Sequence, residues 1–155
     1  MKEIDKNGLS LEKVFFDLDN SEWHRNSSES LWVEKLNDIT YRLKNSPFYV
    51  KGVSFKDIIE VVFNDDKLIF KKVIKHSHHS TYRIFLLNGN SKEKFNKYWG
   101  NLERIGCTYE QANDKFYSID VPKNTDINQA YKFLELGLDK GVWDFEEGHC
   151  GHILD

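Results

Sequence analysis

The apolar positions of this chain follow a strand rhythm for most of its length, and a helical rhythm enters only in the second half. From Leu31 onward, runs of about five to eight residues with alternating or clustered hydrophobics are separated by Asn and Asp turn residues. Leu31–Leu36 and Ile39–Lys44 flank Asn37-Asp38, a dipeptide that tolerates positive φ, and this predicts a β-hairpin. Pro47 interrupts the second run because it donates no ladder hydrogen bond. Ile58–Phe63 and Lys67–Lys75 flank Asn64-Asp65-Asp66 and predict a second hairpin. Together these strands suggest a small curled antiparallel sheet or partial barrel.

The second half adds helices. Thr81–Leu87 reads as a strand. Ser91 then caps a helix whose Phe95, Tyr98, Trp99, Leu102 and Ile105 recur at helical spacing until Gly106. Cys107–Gln111 and Lys115–Val121 predict strands turning at Asn113-Asp114. Asp126 with Gln129 resembles a capping box and opens a helix with Ile127, Ala130, Tyr131, Leu134 and Leu138 on its apolar face. Gly141 ends that helix, and Val142–Glu146 closes as a strand. The order β-α-β-β-α-β from Thr81 to Glu146 is that of a ferredoxin-like unit, with both helices on one sheet face.

The predicted class is therefore α+β, with a β-rich half over residues 31–80 packed with a ferredoxin-like half over residues 81–155. Residues 1–30 read as an extension containing one short amphipathic turn around Leu9, Leu11, Val14, Phe15 and Leu18. At 155 residues the chain suits one compact body over 31–155. No repeat or low-complexity linker divides it.

Composition narrows the function classes. The start is charged, without a secretory apolar core, and no run approaches about 18 apolar residues, so the expected setting is the cytoplasm, without membrane insertion. Two cysteines, Cys107 and Cys150, are too few for a disulfide scaffold and are expected reduced. A net charge of -3 argues against general nucleic-acid binding, which depends on Lys and Arg. The charge is also uneven: Lys67, Lys71, Lys72, Lys75 and Arg83 make a basic strip, while Asp139, Asp144, Glu146, Glu147 and Asp155 make an acidic tail.

Two clusters hold metal-ligating or anion-binding residue types. His76, His78, His79, Ser80, Thr81 and Arg83 would suit a carboxylate or phosphate through the hydroxyls and the Arg83 fork. Glu146, Glu147, His149, Cys150 and His152 lack the second ligand pair of a structural zinc site. A metal site would need His76 or His78 to meet His149 or Cys150 in the fold. A Cys-His nucleophile and a Glu146-Glu147 acid/base pair both fail, because neighbours on a strand point apart. No phosphate loop or nucleophile elbow occurs. Tyr82, Phe85, Phe116 and Tyr117 lie where RNA-stacking aromatics sit on ferredoxin-like sheets, but without the accompanying Gly and basic pattern they read as core. No catalytic residue, metal ligand or cofactor is assigned.

The stretch from Trp32 to Gly151 resembles a bacterial family known only as a domain of unknown function. The positions that carry the resemblance are Trp32-Val33-Glu34, Asn45-Ser46-Pro47-Phe48, Gly52 with Asp57, His79-Ser80-Thr81 with Arg83, Gly106–Glu110, Val121-Pro122 and Gly141–His149. The chain departs from that pattern in its Lys/Asn-rich start and in carrying His78 where a Gly is expected. The resemblance implies a small solitary bacterial protein, in some members an antidote in a toxin system.

The function expected from these readings is a non-enzymatic immunity protein that occludes a toxin domain. Its binding residues are drawn from His78, His79, Ser80, Arg83, Trp143, Asp144, Glu146, Glu147 and His149, with the interface on Trp143–His149. The rival is a ligand- or metal-binding module, or an enzyme, whose pocket joins His78, Arg83, Glu146 and His149. A third reading is an RNA-binding regulator using Lys67–Lys75.

Overall fold

The computed structural model describes residues 2–154. The strands form two sheets. The first contains β1 (Lys2–Ile4), β2 (Ser10–Asp17), β3 (Ser28–Lys35), β4 (Thr40–Leu43), β5 (Ile58–Asn64) and β6 (Lys67–Lys75). Antiparallel neighbours run from β1 through to β6. A parallel pairing of β6 with β2, at Val14↔Leu68 and Phe15↔Ile69, then closes β2 to β6 into a barrel. Strand alternation turns Val14, Phe16, Leu31, Val33, Tyr41, Leu43, Ile59, Val61 and Leu68 into its interior.

Both predicted hairpins form around their Asn/Asp turns, and Asp65 and Asp66 take positive φ as their side chains allow. Residues 10–17 differ from expectation. They form a full strand of the barrel wall, not a short turn in an extension.

The second sheet has the order β10-β7-β9-β8, built from β7 (Ser80–Leu86), β8 (Thr108–Asn113), β9 (Phe116–Val121) and β10 (Trp143–His149). The helices α1 (Lys92–Arg104) and α2 (Ile127–Asp139) connect them, giving the ferredoxin-like order read from the sequence. Ser91 caps α1 by accepting from the Lys94 amide, and Asp126 caps α2 by accepting from Asn128 and Gln129. Both helices pack on one face, against Tyr82, Ile84, Tyr117, Ile119, Val121 and Trp143. Of the predicted apolar face of α2, Tyr131 and Leu138 are exposed, and Gly137 instead receives the Trp143 ring.

The opposite face of this sheet carries Thr81, Arg83 and Phe85 from β7 and Phe116, Ser118 and Asp120 from β9. It is covered by the barrel and its loops, which is why every residue of β9 is buried. The Asn45–Val50 loop fills the junction between the sheets. Glu29 accepts from the amides of Phe48, Tyr49 and Val50, Glu110 accepts from the Ser46 amide, and Ser118 Oγ donates to the Pro47 carbonyl. No helix among the described residues is long and apolar enough to cross a membrane.

Candidate functional site

Strand β10 lies at the edge of its sheet, paired with β7 alone. Alternation sends Trp143 and Phe145 toward the helices and Asp144, Glu146 and Gly148 the other way. Trp143 was expected in a binding interface, but it is 0 % exposed and its Nε1 donates to the Leu134 carbonyl at 2.9 Å. It is a core residue, and Gly137 leaves the space its ring fills.

Arg83 is also 0 % exposed. Its Nη2 donates to the Val50 carbonyl, and Nη1 lies 3.7 Å from Glu146 Oε1. Burial pulls the guanidinium below its ordinary pKa, while Glu146 and then Glu29 and Glu22 act the other way. Nε and Nη1 have no hydrogen-bond partner among the described residues. Gly148 is required here, because a Cβ would stand 2.7 Å from Nη1. The fork expected to hold a ligand is thus sealed between the two sheets.

His78, His79, Ser80 and Glu147 are each engaged by a neighbour outside the predicted set and do not line one common pocket. His79 Nδ1 bonds Asp120 Oδ1 at 2.9 Å, and Ser80 Oγ bonds His152 Nδ1 at 2.6 Å. Tyr82 donates to Glu147 Oε1 at 3.2 Å. His78 Nδ1 lies 3.0 Å from the Gly151 carbonyl. The φ of His78 is +68°, a left-handed geometry that Gly adopts without strain, in keeping with the Gly expected there.

The two clusters meet through the β7–β10 register, which sets His149 opposite Thr81 across a bulge after Glu147. That bulge carries His149 to His76, with ring centroids 4.9 Å apart and planes at 21°. Asp57 Oδ2 lies 3.2 Å from His76 Nδ1. Burial, and then His76, hold the His149 pKa below its ordinary value. Of the four aromatics read as core, Tyr82 and Tyr117 lie beneath the helices and Phe116 beneath the barrel loops, while Phe85 is half-buried and reaches the surface. The lysines of β6 are exposed, and Lys71 pairs with Glu60 at 2.9 Å.

One surface escaped the sequence reading. Trp23, inside the supposed extension, is 51 % exposed and rests edge-on against Phe85 at 5.0 Å and Phe116 at 5.8 Å, with Tyr49 at 5.9 Å. A groove of about 300 Å³ is lined by Trp23, Phe85, Asp144, Phe145 and Glu146. A second hollow is lined by Asp17, Asp19, Glu22, His24, Tyr49 and Lys51, where Glu22 Oε2 lies 3.9 Å from Lys51 Nζ and 3.6 Å from His24 Nε2. The Phe145 amide turns to Asp144 Oδ1 at 2.8 Å.

A search of curated proteins finds no match. A solved structure described as a novel crystal structure of a hypothetical protein from Neisseria gonorrhoeae is similar, with a TM-score of 0.79 at 17 % identity, over 92 % of this chain and 97 % of that one. At that identity it shows a shared fold. The family model described as "Domain of unknown function (DUF4265)" matches residues 29–145, so it takes in the barrel from β3 onward and reaches the start of β10. The chain belongs to this uncharacterised domain family.

Proposed function

We propose that this is a non-enzymatic binding protein that receives a basic segment of a partner protein on the face centred on Trp23. The observation that carries the reading is a half-exposed indole that rests on an aromatic cluster and lines a groove together with Asp144 and Glu146. Rigid aromatic anchors supply most of the binding energy of interfaces, and a rim of one charge sign selects the partner and speeds its approach. The edge position of β10 adds a second mode of contact, since a partner strand can extend the sheet there.

The immunity form of this reading has the acid-rimmed face covering a cationic toxin domain. The ligand-pocket alternative draws less support, because His79, Ser80, Arg83 and Glu147 are already engaged with neighbours in the fold.

Co-expression with a toxin domain encoded beside the gene tests the immunity form. Growth is expected to be restored by the native protein and lost with Trp23→Ala or Asp144→Lys. Failure of the native protein to protect, although it is folded and expressed, would refute that form.

A further inference from the structure

Asp57, His76 and His149 come from three separated parts of the chain: the residue before β5, the residue after β6, and the last residue of β10. One ligand atom from each falls within 4.8 Å of the others. Asp57 is held as metal-ligating carboxylates are. Its side chain is 1 % exposed, Oδ1 accepts from Ser77 N at 2.8 Å and Ser77 Oγ at 2.9 Å, and Oδ2 accepts from Ser54 N at 2.9 Å.

A second observation is independent of that spacing. His149 Nε2 is buried and has no hydrogen-bond partner among the described residues, which costs stability unless a bound group satisfies the ring.

From this geometry we propose that Asp57, His76 and His149 form a binding site for a divalent transition-metal ion of the zinc type, tying the end of β10 to the barrel. Two imidazoles and a carboxylate are the donors zinc takes, whereas calcium and magnesium prefer oxygen alone. Tetrahedral zinc with ligands at about 2.0–2.2 Å sets its donor atoms about 3.3–3.6 Å apart. The 3.2 Å between Asp57 Oδ2 and His76 Nδ1 already matches, whereas the His149 ring, stacked on His76 at 4.9 Å, has to turn out of the stack to close the set from within 4.8 Å. The half-exposed side of His76 leaves a fourth position to water. The site is independent of the Trp23 surface, so either proposal can fail alone.

The test uses the full chain, stripped with EDTA and titrated with zinc sulfate at pH 7.5. One ion per chain and a raised melting temperature are expected, and cobalt in place of zinc should give the visible absorption of a tetrahedral site. His76→Ala and His149→Gln are each expected to weaken binding by more than about 100-fold, beyond the loss typical of an outer-shell change. Circular dichroism checks that each variant folds. If His149→Gln does not fold, His76→Ala decides, because that ring is largely outside the core. Absence of binding by the native protein, or unchanged affinity in a folded His76→Ala, overturns the proposal.

Discussion

Arg83 and Glu146 face each other across the β7–β10 ladder, with Nη1 3.7 Å from Oε1 and the guanidinium closed off by Gly148. Removing the carboxylate leaves a buried cation with its nearest counter-charge gone. Glu146→Ala is expected to destabilise the fold by about 2 kcal/mol, less than for a wholly buried pair because Glu146 is partly solvated. Urea unfolding checks this, and a loss within about 0.5 kcal/mol, the range of an ordinary surface change, would show that the pair matters little. Asp144, not Glu146, is therefore the clean position for charge reversal on this face.

Glu29 organises the inter-sheet loop through three backbone amides, from Phe48 at 2.6 Å, Tyr49 at 3.0 Å and Val50 at 2.9 Å. Glu29→Gln keeps the shape but turns one of the two acceptor oxygens into an NH2 that faces a backbone N–H, and it removes the charge from the bonds that remain. A loss of about 2–4 kcal/mol in unfolding free energy is expected, together with faster amide exchange at residues 48–50.

Gly137 sets two physical effects in opposition. Helix propensity alone makes Gly137→Ala stabilising by about 1 kcal/mol. A Cβ there would lie 2.1 Å from Trp143 Cε2, so the indole or the helix has to move. The expected net result is a destabilisation of about 1–3 kcal/mol, as in overpacked cores. A higher melting temperature for Gly137→Ala would contradict the packing described for Trp143.

His149 gives stability a pH dependence of known sign. Its folded pKa lies below the ordinary value of 6.5, because burial and His76 disfavour the imidazolium. Between the two values the unfolded chain binds more protons, so stability falls as pH drops through 6.5 toward the folded pKa. With EDTA present, the native protein is expected to lose more stability than His149→Gln between about pH 7.5 and 5.5. Parallel profiles for the two proteins would contradict this.

Local signals made much of the fold legible. The Asn/Asp turns, the caps Ser91 and Asp126, and the β-α-β-β-α-β order all act between residues near in sequence. Strand β2 was not legible, because its buried positions, Leu11, Val14 and Phe16, keep no strict alternation, and the β6 pairing that closes the barrel on it comes from more than fifty residues away. Trp143 was misplaced, and Trp23 passed over, for a similar reason. The burial of Trp143 depends on Gly137, and the exposure of Trp23 on a platform of Phe85 and Phe116 from the other sheet. The meeting of His76 with His149 was open in the sequence, but the bulge that achieves it exists only in the paired strands.

The central claim is that a partner protein sits on the acid-rimmed Trp23 face, and site-specific photo-crosslinking in the native bacterium tests it most directly. A crosslinking residue would be placed at 144 in β10 and, as a control, at 97 on the exposed side of α1. The account predicts one cationic protein crosslinked from position 144 and not from 97, with the purified pair losing affinity on Trp23→Ala. Crosslinking from 97 alone, or a partner whose affinity is unaffected by Trp23→Ala, would contradict it.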